Sequence, residues 1–244
     1  YKTKIHYYNE SDQENQPLIG EYSQAELERL AAVGDNLEGA LISSLIPSEY
    51  NPASIQYRLV DSLANDSVLV FSRDSTSQLY SASFSFLGNN KGDYRLTENQ
   101  ANGRVFQWVA PLNGLPQGSY APVKRLIAPN SLEVLSWQNE VQISPQQVLK
   151  LDGALSRNVI NSYSDRDRNN DIGLAGKLLY KYNVPLKKAQ LSFNAAYEFN
   201  NPQFTSLERI RAVEFARDWN LPLNYSGAVQ LLSLNSNYSR DSLQ

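Results

Sequence analysis

The chain has 244 residues, a formal net charge of −3 and no cysteine. This length allows one large domain or two smaller ones, and the acidic balance leaves no basic stripe to neutralise the phosphates of a nucleic acid. The lack of cysteine excludes disulfides, zinc thiolates and thiol nucleophiles. No apolar run approaches the ~18 residues of a membrane-spanning helix, whereas membrane-spanning strands give only a weak hydropathy signal.

The first part of the chain contains one helix signature. Lys2–Tyr8 alternates between polar and apolar residues and predicts a short strand, after which the sequence is polar. Ser23 and Glu26 have the spacing of a capping box, and Gly34 is placed to end a helix in a left-handed cap. We therefore predict one short helix at about residues 24–33.

Short strand-like runs fill residues 53–143 and are separated by Asn, Asp, Gly and Pro clusters. This spacing is typical of a β-sandwich, so residues 1–145 are predicted to form a β-rich, sandwich-like domain. Trp108 and Trp137 lie within these runs. They fit either core packing or an exposed aromatic platform for a sugar ring.

Longer and more regular strands follow Pro145, so residues 146–244 form a second predicted domain. The clearest pair is 172–184 and 189–200, where apolar and polar residues alternate strictly on either side of a turn at 185–188. Pro185 is expected to break the pattern, because proline cannot donate to a sheet ladder. Such runs exceed the usual 5–6 residues of a globular strand and match the roughly 9–11 of a transmembrane strand.

Further strands are predicted at 148–160, 212–221 and 227–238, and the connections 161–171 and 201–211 are long. Long loops alternating with short turns are typical of outer-membrane barrels. Arg217 would fall on the apolar face of its strand, where an arginine at the bilayer midplane costs roughly 2–4 kcal/mol. Five strands cannot close a barrel. The missing initiator Met and the polar end of the chain also lead us to expect a fragment of a longer protein.

Several short motifs resemble a known group of proteins. Gly92-Asp93-Tyr94, Gly118-Ser119-Tyr120-Ala121-Pro122 and Val213-Glu214-Phe215-Ala216-Arg217-Asp218-Trp219 are similar to segments of large outer-membrane proteins of Bacteroidota. Ala154-Leu155-Ser156-Arg157-Asn158 and Gly173-Leu174-Ala175-Gly176 are also similar. The resemblance covers about residues 90–240. It implies a Gram-negative outer-membrane location and a barrel longer than this chain, and it implies no particular activity.

One stretch has the spacing of a calcium loop. Oxygen-bearing side chains alternate at Asp165, Asp167, Asn169 and Asp171. The sixth position is Asn170 instead of Gly and the twelfth is Gly176 instead of Glu, while arginines are interleaved with the acids. These four residues are therefore a candidate calcium site, with a solvated loop as the alternative.

No catalytic signature accompanies these features. His6 is the only histidine, and neither a nucleophile elbow nor a phosphate-binding glycine loop occurs. The sequence indicates no cofactor. Charged residues on the polar faces of the predicted strands fit either a lumen lined by compensating charges or a polar conduit or ligand site; they are Lys177, Lys181, Glu198, Glu214 and Asp218.

Two functions follow from this pattern. The first is a non-enzymatic outer-membrane β-barrel component with a structural or transport and assembly role, the N-terminal domain lying in the periplasm. Its expected partners are outer-membrane lipid and other protein subunits of an envelope complex. The alternative is a soluble, secreted or surface-exposed β-sandwich module that binds a glycan or a protein.

Overall fold

The computed structural model describes residues 1–12, 21–62, 67–100, 102–222 and 225–240. Over these residues the chain is all-β, with antiparallel sheets and little helix, which confirms the predicted fold class. The strands are β1 (Lys2–Ser11), β2 (Leu41–Ser43), β3 (Ile46–Ser48), β4 (Tyr57–Asp61), β5 (Ser67–Phe71), β6 (Leu79–Ser81), β7 (Ser85–Phe86), β8 (Tyr94–Gln100), β9 (Gly103–Trp108), β10 (Tyr120–Ala121), β11 (Val123–Arg125), β12 (Ser131–Ser144), β13 (Gln147–Val159), β14 (Ile172–Leu186), β15 (Ala189–Asn200) and β16 (Val229–Arg240). The helices are α1 (Gln24–Val33) and α2 (Phe215–Asp218).

The chain forms two compact units. One, here the inserted unit, comprises Tyr22–Ile127, and the other, the sheet unit, comprises Tyr1–Glu21 with Ala128–Gln244. The structure thus divides the chain elsewhere than at the predicted boundary between 145 and 146, which lies in the turn joining β12 to β13. The reason is strand pairing, because β1 pairs with β12 and β12 pairs with β13 in one continuous sheet.

Two four-stranded sheets in the inserted unit share an aromatic core. Their strand orders are β3-β6-β4-β5 and β7-β10-β8-β9, and a separate pair joins β2 to β11. Tyr57 and Leu69 from the first sheet meet Tyr94 and Phe106 from the second, and Phe84 stacks on Phe106 at 4.4 Å between ring centroids. Two sheets around one core form the sandwich-like arrangement that the sequence predicted.

Two buried tyrosine hydroxyls link these sheets. The backbone N–H of Phe106 donates to the Tyr57 hydroxyl at 3.0 Å, and the N–H of Leu69 donates to the Tyr94 hydroxyl at 2.8 Å. Both donors lie on edge strands, β9 and β5. Each tyrosine therefore satisfies a backbone donor of the opposite sheet that the ladder leaves unpaired. Burial raises the pKa of both phenols.

Helix α1 confirms the predicted bounds and capping box. The Ser23 N–H donates to Glu26 Oε2 at 2.8 Å, and the Glu26 N–H donates to Ser23 Oγ at 3.4 Å. The Ser23 backbone and hydroxyl, together with Lys124 at 3.1 Å, lower the pKa of the Glu26 carboxyl. Gly34 has a positive φ of 63°, but its ψ of −139° lies outside the left-handed helical region that the sequence predicted.

The sheet unit is one antiparallel sheet of six strands in the order β1-β12-β13-β14-β15-β16. β14 continues through Pro185, which is paired with Gln190, so the expected break at Pro185 is wrong and the turn is only Lys187-Lys188. The proline is tolerated because β13 pairs with β14 only as far as Tyr182. Beyond that point β14 is an edge, where a missing N–H costs little.

The strand predicted at 212–221 is also wrong. These residues belong to the connection between β15 and β16, which contains the short helix α2. Arg217 pairs with Glu214 at 2.8 Å, one helical turn away, and with Asp218 at 3.6 Å. Arg217 therefore does not lie on the apolar side of a strand, and the cost expected for it there does not arise.

Candidate functional site

The six-stranded sheet has two chemically different faces. The pairing register aligns the apolar positions of all its strands on one side, here the apolar face. Leu178 at the centre is 40% exposed and Leu234 is 71% exposed. The other large exposed side chains of this face are Ile5, Tyr7, Leu135, Leu151, Ile172, Leu174, Leu186, Phe193, Tyr197, Phe199, Leu232 and Tyr238. The sequence predicted that apolar and polar residues alternate within each strand. The register shows that the apolar positions of neighbouring strands lie on the same face.

Two glycines lie in the middle of the apolar face. One row of the register joins Trp137, Gly153, Gly176 and Phe199 on four adjacent strands. The Trp137 ring occupies the space where Gly153 would carry a side chain, and the Phe199 ring does the same at Gly176. Each glycine thus lets an aromatic ring lie flat on the sheet, which covers backbone with apolar surface.

The opposite side, here the polar face, carries paired charges. One row joins Gln138, Asp152, Lys177 and Glu198 on four adjacent strands. Lys177 Nζ lies 2.6 Å from Glu198 Oε1. In the next row, between β12 and β13, Lys150 Nζ lies 2.6 Å from Glu140 Oε2. The strands therefore alternate charges across the sheet, so that carboxylates and ammonium groups neutralise one another.

The connection between β15 and β16 folds back over the polar face. Its Thr205 N–H donates to the Oγ of Ser156, a residue only 1% exposed. The backbone of Phe204 lies against Gly173, where a side chain would clash with it. Arg211 Nη1 donates to Glu198 Oε2 at 2.7 Å. Three contacts thus hold this segment on the sheet, and residues 201–222 are called the covering loop below.

A cavity of about 350 Å³ lies between the sheet and the covering loop. Its floor contains the small residues Ser136, Ala154 and Ala175, which are register partners on adjacent strands. The row that contains Asp152, Lys177 and Glu198 lies beside this floor, and the covering loop lies over both. The other lining residues are Trp137, Gln138, Asp152, Gly153, Gly176, Lys177, Glu198, Phe199, Asn200, Phe204, Ile210 and Arg211. Small residues in the floor create the space, and larger polar and apolar side chains surround it.

The structure brings together part of the charged set seen in the sequence. Lys177 and Glu198 form an ion pair, whereas Glu214 and Asp218 lie at α2 and pair with Arg217. Lys181 is on the polar face of β14, opposite Val148 and Asn194. The sequence reasoning missed Arg211, because residues 201–211 were read as a loop and nothing indicated that it folds over the strands.

The candidate calcium residues do not converge. Arg168 lies between two of them, with its guanidinium 4.0 Å from the Asp165 carboxylate and 3.6 Å from that of Asp171. Asp171 is 5% exposed, whereas Asp165, Asp167 and Asn169 are exposed. Asp167 has a left-handed backbone, φ 61°. Among the described residues no group of three or more His, Cys, Asp or Glu is placed to hold a metal ion.

The remaining singled-out residues have structural surroundings. Trp108 packs against the aromatic core of the inserted unit, and Trp137 lies on the apolar face over Gly153. His6 is on the polar face opposite Ser136. No helix within the described part of the chain has both the length and the apolar content needed to cross a membrane. Comparison with protein-family models, curated proteins and solved structures finds no match to this chain.

Proposed function

We propose that the six-stranded sheet is a section of the wall of an outer-membrane β-barrel. In this proposal the chain is a non-enzymatic component with a structural or transport and assembly role, and its resemblance to large Bacteroidota outer-membrane proteins supports the outer-membrane location. The observation that carries the proposal is the apolar face, which joins large exposed side chains of all six strands. Exposed apolar patches of this extent mark a surface that contacts lipid or protein.

The length and chemistry of the strands support lipid as the neighbour of this face. β13, β14, β15 and β16 have 13, 15, 12 and 12 residues, more than the roughly 9–11 that a tilted strand needs to cross a bilayer. Aromatic residues such as Tyr180, Tyr182, Phe193 and Tyr197 occur along it, as in the girdles of outer-membrane barrels. Burial in lipid removes this apolar area from water, which is favourable.

The polar face has the properties of a lumen wall. Two of its carboxylates, Glu140 and Glu198, form ion pairs with Lys150 and Lys177, and its strands carry Ser, Asn and Gln between the charges. The covering loop narrows the space in front of this face because Glu198 and Ser156 hold it there. A polar, partly filled interior opposite an apolar exterior is the pattern of a membrane barrel.

Topology supports a cell-surface location for the inserted unit. The chain leaves the sheet after Ser11 and re-enters at Ser131, and these two residues are register partners at one end of the sheet. The long connections 160–171 and 201–228 are at that same end, whereas the short turns after Ser144 and Leu186 are at the other. Long loops of outer-membrane barrels face outward. This proposal departs from the periplasmic location expected from the sequence, which assumed that every strand of the sheet follows the N-terminal domain.

Both edges of the sheet support further protein partners. Within the described residues, β1 pairs only with β12 and β16 pairs only with β15. An unpaired edge in lipid leaves backbone groups that cost several kcal/mol each. In the membrane both edges therefore require strands from outside these residues, either of the same protein or of another envelope subunit.

The soluble alternative requires a cover for the apolar face. A glycan- or protein-binding module in water would pack the side chains of 172–199 inside, yet Leu174, Leu178 and Phe193 are each about 40% exposed. The observed exposure favours the membrane proposal.

Leu178 and Leu179 provide a matched test, because they are adjacent and point to opposite faces. Each is replaced by cysteine in the otherwise cysteine-free chain, labelled with an environment-sensitive dye and reconstituted into vesicles. We expect a lipid-borne quencher to act on the dye at 178 and an aqueous quencher on the dye at 179. Equal aqueous quenching at both positions, or recovery of the protein in the aqueous fraction without detergent, would remove the barrel proposal.

A further inference from the structure

The free edge of β1 is exposed along its whole length. All ten residues of the strand are exposed, and within the described part of the chain β1 pairs only with β12. Alternate backbone N–H and C=O groups on the far side of β1 therefore have no neighbouring strand to pair with. Such an edge is a template for one more strand. The side chains of β1 determine which strand fits.

Charges alternate from strand to strand in a row of the polar face that ends at β1. The row joins Lys150, Glu140 and Lys2 on three adjacent strands. Lys150 Nζ lies 2.6 Å from Glu140 Oε2, and Lys2 Nζ lies 4.0 Å from Glu140 Oε1. The Lys2 side chain remains 81% exposed, so most of it is open to a further partner.

The next row of the polar face also ends at β1 with a lysine. Its charges alternate in sign through Glu198, Lys177 and Asp152, and the uncharged Gln138 then separates Asp152 from Lys4. Lys4 is exposed and has no carboxylate directly opposite on β12. Opposite charges on directly paired residues stabilise a sheet, whereas like charges destabilise it. A strand beyond β1 would therefore fit best with a carboxylate opposite each of the two lysines.

The apolar face adds a second requirement for such a strand. Ile5 is 68% exposed and Tyr7 is 63% exposed, although Trp137 and Leu135 are their register partners on β12. Apolar side chains opposite Ile5 and Tyr7 would pack against them and continue the apolar face by one strand. The fitting strand thus alternates acidic residues on one side with apolar residues on the other.

We propose that the free edge of β1 binds an acidic partner strand. This strand runs antiparallel to β1, carries carboxylates opposite Lys2 and Lys4, and carries apolar side chains opposite Ile5 and Tyr7. The inference rests on the proposed function, which requires a strand from outside the described residues at this edge, and it adds the chemistry of that strand. The charge pattern itself depends only on the register of β1, β12 and β13.

A second copy of this chain does not supply the required strand. β16, the other free edge, has Ser233 and Leu231 in the rows of Lys2 and Lys4, and it contains no Asp or Glu. Two copies paired antiparallel through β1 would place Lys2 opposite Glu10, but the loop-bearing ends of their sheets would then point in opposite directions. Outer-membrane barrels have their long loops on one side of the membrane. The charges and the topology therefore favour a different strand.

The experiment uses the whole chain, labelled with ¹⁵N and purified in detergent, with two synthetic peptides whose ends are blocked. The acidic probe is Lys-Thr-Thr-Val-Ser-Val-Glu-Thr-Glu. When it runs antiparallel to β1, its glutamates lie opposite Lys2 and Lys4 and its valines lie opposite the two apolar side chains. The basic probe has lysine in place of both glutamates and is otherwise identical.

We expect the acidic probe to slow amide hydrogen exchange along β1, because the added strand pairs with its free backbone groups. The acidic probe should also bind about tenfold more tightly than the basic probe, because two cross-strand pairs change from attraction to repulsion. Exchange along β1 that slows with protein concentration when no probe is present would assign self-pairing of two copies and overturn the proposal.

Reversing the charges of the edge gives the matched comparison. In Lys2→Glu/Lys4→Glu the preference should reverse, so that the basic probe binds about tenfold more tightly than the acidic one. Lys187→Glu/Lys188→Glu changes two exposed lysines in the turn between β14 and β15 and should keep the original preference. The proposal fails if neither probe slows exchange along β1, if the original chain binds both probes equally, or if the two double variants have the same preference.

The quenching test at Leu178 and Leu179 reports on lipid at the apolar face and does not involve β1. Selective binding of the acidic probe together with equal aqueous quenching at both leucines would remove the barrel proposal and keep the site on β1. Lipid quenching at Leu178 without selective binding of the acidic probe would remove the site on β1 and keep the barrel.

Discussion

The indole ring of Trp137 lies over Gly153, its register partner on the neighbouring strand. A Cβ at this glycine would collide with the ring carbons, so the close packing depends on the missing side chain. Trp137 can therefore lie flat on the apolar face and cover the backbone at Gly153. A ring perpendicular to the sheet would leave that backbone uncovered. The same relation between Phe199 and Gly176 two strands further shows that the sheet builds this surface twice.

Replacing Gly153 by valine should destabilise the sheet. The new side chain must displace the Trp137 ring, and overpacking of this kind typically costs about 1–3 kcal/mol. Denaturant unfolding of the chain in detergent measures the loss. In a Trp137→Ala background the same valine should cost clearly less, because the ring is no longer there. An equal cost in both backgrounds would show that the ring does not depend on the glycine.

The apolar face gives a second prediction, which distinguishes lipid from water. Leu178→Arg should lower the stability of the membrane-inserted protein by about 2–4 kcal/mol, because it places a cation near the bilayer midplane. Leu179→Arg, on the polar face, is the control and should change stability by less than half of that. Unfolding from vesicles measures both. If the two variants lose equal stability, the apolar face does not contact lipid.

Strand alternation was readable from the sequence because it depends only on neighbours in the chain. Lys2–Tyr8, 172–184 and 189–200 were each recognised as strands on that basis, and the capping box located α1. The pairing of β1 with β12 was not recognised, because the partners are about 120–140 residues apart and both halves of the pair look like ordinary strands. The division into two units depends on this pairing, so the sequence-based boundary between residues 145 and 146 differs from the division in the structure.

The misassigned segment has a different physical cause. Val213, Phe215, Trp219 and Leu221 suit a strand when read alone, but Glu214 and Arg217 form a pair at helical spacing. The cavity also could not be predicted, because Arg211 reaches Glu198 only after the covering loop has folded onto the polar face. A contact between a loop and a strand leaves no periodic signal in the sequence.

The two buried tyrosines of the inserted unit give a third prediction. Tyr57→Phe should leave the Phe106 N–H without an acceptor, and Tyr94→Phe should do the same to Leu69, each at a cost of about 1–3 kcal/mol. Hydrogen exchange measured on the whole chain should show faster exchange at those amides. Tyr50→Phe, at a residue 44% exposed, is the matched control and should leave exchange unchanged.

Alkaline pH should act through the same two tyrosines. Their pKa values are raised in the folded state because burial disfavours the phenolate. The stability that they contribute is therefore complete below the ordinary pKa of about 10 and is lost as the pH rises through the raised values. Unfolding followed above pH 10 should show this loss, and it should be smaller in the Tyr57→Phe/Tyr94→Phe variant. An identical alkaline profile for both proteins would contradict the assignment.

The turn after β5 gives a prediction at acid pH. Asp74 accepts hydrogen bonds from the Thr76 hydroxyl at 2.7 Å, the Ser77 hydroxyl at 2.7 Å and the Thr76 N–H at 2.9 Å, which lower its pKa to about 2. A lowered folded pKa means that the stabilisation is present above the ordinary value near 4 and is lost as the pH falls towards 2. The chemical shift of the Asp74 carboxyl should titrate with a midpoint near pH 2. Amide exchange in this turn should become faster as the pH falls from about 4 to 2, and Asp74→Asn should abolish that acceleration. A midpoint near 4 would show that the turn does not hold the carboxylate.

The location of the inserted unit gives the last prediction, which uses the lack of cysteine in the chain. Ser75→Cys places a thiol in an exposed turn of the inserted unit, and Lys188→Cys places one in the two-residue turn between β14 and β15. With a membrane-impermeant maleimide on intact cells, we expect labelling at 75 and none at 188 until the outer membrane is opened. Long and short connections lie at opposite ends of the sheet, so a sheet that crosses the membrane must separate these two sites. The reverse labelling would place the inserted unit in the periplasm, and labelling of both sites in intact cells would show that the sheet does not cross the membrane.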